Sequence, residues 1–495
     1  MDFITHNRNL ILTLVIIVVI VALLMNGMST PTAVSILLSG VTLAALYFLV
    51  ASGISIIFGL MDVLNFAHGS FFMLGAYLGW TFYTNPRLIL NTAPLLLALT
   101  AAVSLNSLLT RRVTVPAAGR WVAGILAAVI VVLAMRDFPI ENLVAMGMSM
   151  TGKVIPTAEA QEPLATMFNR MALFFLAGLA LDFVIASKGR DPNAPSVGRT
   201  VGTAALIALV AVLILVLRDL GEQAILGTES NLRFVLSLLF GGAMGALLGA
   251  LMEWGLIRPL YARPIYQILL TLGLVFVADQ VVRLVWGPAG AFMTSPSLFN
   301  TPGKECPSSD LISWLSQHCD SVMIMGRAFP TYRLFIISIG IVILAAIAIL
   351  LQRSRLGMII RAGVQDSEMV EALGINVRRT FTMVFAIGAA LAGLGGVVAA
   401  PFLGVYPGMA LEFLLQAFIV VVIGGLGSIP GAAIGALLVG LARAYGDHIV
   451  LSGIQLPWMA DSISGSPAIA RASTVLIMAI VLFIKPTGIF GKKES

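Results

Sequence analysis

The sequence predicts an all-α fold, a polytopic transmembrane helical bundle of about 12–14 spans, and three observations carry that expectation. Of its 495 residues, 59% are hydrophobic and only 11% charged, with a mean hydropathy of +1.02. A soluble domain carries roughly 45–50% apolar and about 25% charged residues. Apolar runs recur along the chain, many close to the roughly 20 residues that a helical span requires. These runs do not alternate apolar and polar positions, which excludes a transmembrane β-barrel. Twenty-nine Lys and Arg stand against 23 Asp and Glu, but the basic residues fall mainly in short connections between runs. The excess therefore reports orientation and not a nucleic-acid partner.

In chain order the runs lie near 10–25, 33–58, 66–83, 94–108, 121–135, 172–187, 201–217, 233–255, 266–285 and 333–351, followed by 380–400, 412–428, 431–446 and 471–485. The first follows Arg8 and resembles a signal peptide, but no small-x-small cleavage site follows it, so it reads as an uncleaved first helix. An even number of spans places both termini on one side. Alternate loops differ in basic residues: one set, including Arg111, Arg112, Lys188, Arg258, Arg353, Arg378 and Arg379, holds with the termini 17 of the 29. That side is expected to be cytoplasmic. The segments near 136–171 and 286–332 then face outward. The second contains the only cysteines, Cys306 and Cys319, which in an oxidising compartment read as one disulfide; two free thiols are the alternative.

Catalytic motifs are not found. Gly147 to Lys153 reads GMSMTGK, but Val154 replaces the Ser or Thr that a phosphate-cradling loop needs for magnesium, so the likeness is accidental. No metal site is expected, because Cys306, His318 and Cys319 lack the spacing of a zinc set. Acids inside apolar runs are costly: Asp279 has Arg283 one turn away as a partner, and Glu253 and Asp182 are expected to reach water near cytoplasmic ends.

Two interruptions at membrane depth point to a translocation path: LMDVLNFAHGSF at 60–71 and VVIGGLGSIPGAAIG at 421–435. Each combines helix breakers with polar groups, and broken helices are the usual pointer to a transport site. The candidate path residues are Asn65, His68, Gly69, Gly424, Gly425, Gly427, Ser428 and Pro430; helix capping is the alternative role for Asn65 and His68. Glycines at four-residue spacing, Gly241, Gly245 and Gly249 and again Gly427, Gly431 and Gly435, predict close helix packing. On the cytoplasmic side, 353–380 reads as a short amphipathic surface helix ended by Gly374, a docking surface for a partner.

The blocks LNFAHGSFFMLGAY at 64–77, IRPLYARP at 257–264, RLGMIIRA…LGIN and VVIGGLGSIPGAAIGALLVG at 421–440 occur in order. Together they resemble branched-chain amino-acid ABC importer permeases, most closely the first of the two permease subunits; urea and amide importers share much of the pattern. The resemblance covers about 33–84 and 233–491. It implies an ABC importer permease core in 1–84 and 233–495, interrupted by a transmembrane insertion at 85–232 expected to form peripheral lipid-side helices. It further implies two cytoplasmic ATPase subunits, a second homologous permease, an extracytoplasmic solute-binding protein, and a bacterial or archaeal plasma membrane. ATP and magnesium would belong to the ATPase subunits, with no cofactor in this chain. Carried over by position, Arg361, Ala362, Asp366, Glu371, Ala372 and Gly374 would form the coupling contact. A urea or short-amide importer is the alternative within this class, and a self-contained secondary transporter the alternative outside it.

Overall fold

The computed structural model describes residues 29–105, 116–136, 138, 163–185, 197–261, 263–300, 306–365, 367–452 and scattered residues between 474 and 490. The apolar run at 10–25, the GMSMTGK segment, Asp366 and most of the run at 471–485 lie outside them.

The described elements are helical almost throughout. In order they are α1 (Thr30–Met61), α2 (His68–Thr84), α3 (Pro86–Val103), α4 (Ala117–Met135), α5 (Leu164–Ile185), α6 (Val197–Val216), α7 (Arg218–Gly227) and α8 (Ser230–Met252). A π-helical turn at Glu253–Ile257 and a 3-10 turn at Arg258–Leu260 lead to α9 (Pro264–Trp286). Then come α10 (Leu311–Gln317), the antiparallel hairpin of β1 (Ser321–Ile324) and β2 (Arg327–Pro330), and α11 (Thr331–Arg353). The rest is α12 (Arg355–Gln365), α13 (Ser367–Ala372), α14 (Val377–Leu403), α15 (Met409–Gly424) and α16 (Ile429–Ser452). Among the described residues, ten helices are long and apolar enough to cross a membrane; α15, at 16 residues, is apolar but shorter. This is a multi-pass helical membrane protein.

The helices divide into two compact units: Met1–Trp80, Phe234–Leu284 and Pro288–Ser495 form the first, and Thr81–Arg233 with Val285–Gly287 the second. In the first unit, α1 and α16 pack through small residues, with Gly40 against Leu441 and Ala444. Gly241, Gly245 and Gly249 of α8 run along Val397, Gly393, Ala389 and Phe385 of α14. Small side chains let helix backbones approach where lipid supplies no hydrophobic drive between helices.

In the second unit, Leu95, Ala134, Phe138, Met167, Phe174 and Leu215 form a buried core. The helix expected near 94 begins eight residues earlier, because Pro86 occupies its first turn, where a missing N–H costs nothing. Arg87 would have argued against a span there, but its Nε donates to Glu222 at 2.6 Å and its Nη2 to Asp219 at 3.1 Å. Asp182, expected to reach water, is instead fully buried, and its carboxylate oxygens have no partner among the described residues. Its short side chain lies inside the helix packing and does not extend past the end of α5.

Candidate functional site

Both sequence interruptions break helices in the first unit. After α1, Asp62 adopts a left-handed conformation (φ 51°) and donates its N–H to Phe58 O, and residues 63–65 have no regular structure. Asn65 is buried; its Oδ1 accepts the Ala67 N–H at 3.0 Å and its carbonyl the His68 N–H at 3.3 Å, so it shapes the entry to α2. The Phe66 amide donates to Thr271 Oγ1 of α9 at 3.3 Å. His68 is fully buried, edge-on to Phe71, and Gly69 lies against Ala410 and Leu414 of α15.

The second break follows α15. Gly425 and Gly427 have φ of 99° and 76°, a region that L side chains enter only with strain. Ser428 Oγ accepts the Gly431 N–H at 3.1 Å and its carbonyl the Ala432 N–H at 2.8 Å, which starts α16 with Pro430 in its first turn. The carbonyls of Ile423 and Gly424, left open by the end of α15, accept the N–H groups of Ile489 and Phe490. The two breaks meet: Gly427 lies against Gly59 in the last turns of α1, and Phe66 and Phe418 place their rings 5.9 Å apart. Asn65, His68, Gly69, Gly424, Gly425, Gly427, Ser428 and Pro430 thus belong to one neighbourhood.

At the far end of α11 the amphipathic segment forms two helices, α12 and α13, where the sequence suggested one. Ser354 ends α11, and its Oγ accepts the Gly357 N–H at 2.9 Å to begin α12. Gly374 (φ 82°) closes the segment, and Asn376 caps α14 by accepting the Arg379 N–H at 3.0 Å. Ile360 and Val370 are buried, whereas Met369 and Leu373 are 60% and 73% exposed, as Met358 is. Arg361, Ala362, Glu371, Ala372 and Gly374 all lie on the exposed side of this segment, and Arg361 donates to the Leu351 carbonyl. Exposed methionine and leucine beside charged residues are what a docking surface presents.

Next to this segment sits a cluster that the sequence did not reveal. Glu253, expected to reach water, is fully buried. Its carboxylate accepts from Arg258 Nε at 3.2 Å and Nη2 at 3.0 Å, from Tyr261 Oη at 2.5 Å and from Thr382 Oγ1 at 2.6 Å. Arg258 and Tyr261 belong to the IRPLYARP block and Thr382 to the start of α14, so the cluster ties that block to the helix that follows α13. Four donors replace water, which is how a buried carboxylate is tolerated.

The opposite end of α11 carries the polar segment. Cys306 and Cys319 form a disulfide with Cα atoms 5.6 Å apart. Trp314 Nε1 and Thr331 Oγ1 both donate to the Cys319 carbonyl at 2.9 Å, which joins this loop to the first turn of α11. Asp279 binds twice, accepting from Arg283 Nε and from the Gly408 N–H, each at 2.7 Å. Its expected partner is therefore one of two.

Broken helices in a multi-pass bundle, with an amphipathic helix pair closing one end, define a transport protein of the permease class. A family model described as branched-chain amino acid transport system / permease component matches residues 36–219 and 165–484. The chain belongs to this family. Both matches enter the 85–232 region and overlap over 165–219, so the family pattern extends into the stretch that the quoted blocks leave out. The chain is 28% identical over 264 residues to the high-affinity branched-chain amino acid transport system permease protein LivH of Escherichia coli K12, covering 52% of this chain and 76% of that protein. It is 33% identical over 170 residues to BraD, the corresponding permease of Pseudomonas aeruginosa, covering 34% of this chain and half of BraD. The fructose import permease protein FruF of Bifidobacterium longum is 26% identical over 291 residues, covering 57% of this chain and 69% of its own length. No solved structure matches the chain.

Proposed function

We propose that this chain is the transmembrane permease subunit of an ATP-driven importer of branched-chain amino acids. The observation that carries the reading is the α12–α13 segment, an amphipathic pair with Met358, Met369 and Leu373 exposed at one end of a membrane bundle. The partner of that surface is a cytoplasmic ATPase that hydrolyses ATP with magnesium, a reading that the family match supports in its class of partner only. Two such ATPases, a second homologous permease and an extracytoplasmic solute-binding protein complete the assembly in a bacterial or archaeal plasma membrane. This chain performs no covalent chemistry. Closure of the ATPases pushes on α12–α13, and the Glu253 cluster transmits the movement from α14 to the IRPLYARP block. From there the two apposed breaks, at 62–67 and 425–428, change which side of the membrane the path faces.

The test is a gentle-detergent pull-down of the tagged protein from its native membrane, followed by uptake assays in proteoliposomes. Recovery of an ATPase and a second permease, with leucine uptake that requires ATP and survives ionophores, is the expected result. Uptake by the chain alone, without ATP and abolished by ionophores, would make it a secondary transporter.

A further inference from the structure

A cavity of about 640 Å³ lies in the first unit at the end of α11 opposite the α12–α13 pair. Arg333 is on its wall and Arg353 ends the same helix, roughly 30 Å away at 1.5 Å per residue. The volume falls in the range of about 300–1,000 Å³ typical of small-molecule sites. None of the residues at the two breaks lines it.

The charges of the cavity are unevenly matched. Arg443 is paired with Asp447 at 3.2 Å, and Glu412 accepts from Tyr406 Oη at 2.9 Å. Arg327 donates to Thr32 Oγ1 at 3.0 Å, and Arg333 donates to Ser39 Oγ at 3.2 Å and has the rings of Phe402 and Phe329 at 4.8 and 5.9 Å from its guanidinium. Among the described residues no carboxylate lies within ion-pair distance of it. Arg333 stands in the first turn of α11, and a cation in a membrane helix characteristically faces a cavity where water or a counter-charge can meet it. A planar guanidinium matches a carboxylate in particular. Ile36, Leu43 and Phe413 give the same cavity an apolar wall.

We propose that this cavity is a solute site in which Arg333 holds the carboxylate of a small α-amino acid while Ile36, Leu43 and Phe413 receive its aliphatic side chain. Glu412, which lines the same cavity, supplies the counter-charge for the ammonium group. The choice of substrate class rests on the importer reading. The site gives the permease a selectivity of its own, separate from that of the binding protein. An acidic side chain of a docked protein is the competing occupant. Arg333 is only part-exposed, ringed by Phe329 of β2 and Phe402 of α14, which favours a solute small enough to enter.

The experiment is equilibrium binding of radiolabelled leucine to the full-length chain in lipid nanodiscs, with leucinamide and 4-methylpentanoate as competitors. Arg333→Gln and Arg333→Lys are measured beside it. Leucinamide, which lacks the carboxylate, is expected to compete at least ~10-fold more weakly than leucine. Arg333→Gln is expected to weaken leucine binding by a similar factor, and Arg333→Lys to recover part of it. The leucinamide arm needs no variant, so a misfolded Arg333→Gln leaves the test intact. Equal competition by leucinamide, unchanged binding in Arg333→Gln, or no leucine binding to the wild type overturns the proposal. So does a variant that still binds leucine but no longer captures the solute-binding protein. Uptake by the reconstituted assembly separates the two readings. Arg333-dependent binding without ATP-driven uptake removes the importer and leaves the site, whereas ATP-driven uptake unchanged in Arg333→Gln removes the site and leaves the importer.

Discussion

The imidazole of His68 rests on the bare α-carbon of Gly53. A Cβ at Gly53 would lie 2.6 Å from His68 Nε2 and 2.5 Å from the carbonyl oxygen of Gly388. α1, α2 and α14 therefore converge at one point, and glycine is the residue that lets a full-sized ring enter. This contact fixes the start of α2 and with it the first break.

Gly53→Ala is accordingly expected to destabilise the protein by about 1–3 kcal/mol, the usual cost of overpacking a well-filled core. His68→Ala in the same background should restore part of the loss, because one of the two clashes is removed and the Gly388 carbonyl remains. A double-mutant cycle on melting in detergent measures this. Strict additivity of the two substitutions would show that the ring and the glycine do not interact.

The break positions were legible in the sequence because Gly425 and Gly427 and the LNFAHG block advertise non-helical backbone locally. Their apposition was not, since it depends on Gly59 meeting Gly427 across more than 350 residues of chain. The same reason hid polar partners far apart in sequence. Arg87 finds Asp219 and Glu222, and Glu253 finds Thr382, so a charge that weakens a span in one dimension is compensated only in three. The expectation that Glu253 and Asp182 reach water failed because depth was inferred from distance to a loop. The structure instead surrounds Glu253 with donors and packs Asp182 out of reach of solvent. The cavity around Arg333 draws its wall from five helices and the hairpin, and no linear spacing encodes it.

The Glu253 cluster yields a second prediction. Glu253→Ala leaves Arg258 and the Tyr261 and Thr382 hydroxyls without their shared acceptor, and breaking a buried pair in this way costs about 3–5 kcal/mol. Thr382→Val removes the hydroxyl that donates to Glu253 and accepts from Arg258 Nη2, each at 2.6 Å, with a loss of about 1.5–3 kcal/mol for each hydrogen bond to a charged group. If the cluster links α14 to the IRPLYARP block, Thr382→Val should also lower the uptake obtained per ATP hydrolysed in proteoliposomes. A variant that is less stable but fully coupled would reduce the cluster to a packing device.

At the polar end, the carboxyl of Asp310 is held below its usual range, chiefly by the Ser313 backbone N–H, with the Ser313 hydroxyl and the Ile312 amide assisting. A depressed pKa contributes stability that is complete above the unfolded value and is lost as pH falls through the folded one. The capped helix α10 should therefore be unchanged from neutral pH down to about 5 and loosen only below about 4. Proteolysis of the 306–330 segment as a function of pH measures this, and Asp310→Ala should show the loosened pattern already at pH 7. Increased cleavage between pH 7 and 5 in the wild type would assign control to another group.

The exposed face of α12–α13, proposed above as the ATPase contact, gives the last prediction. Met369 and Leu373 are exposed on a segment that Ile360 and Val370, both buried, hold to the bundle. Converting Met369 and Leu373 to Asp should leave folding and membrane level unchanged, because neither side chain is buried in this chain. Each buried apolar side chain is worth about 1.5–3 kcal/mol, so losing both at an interface should weaken ATPase capture by at least ~100-fold. Glu371 and Gly374 lie on the same segment, and replacing them should impair uptake more than ATPase capture, since Gly374 turns the chain toward α14 at φ 82°. Co-purification and uptake measured on the same preparations separate the effects. Retained capture in the double Asp variant would move the ATPase contact away from α13.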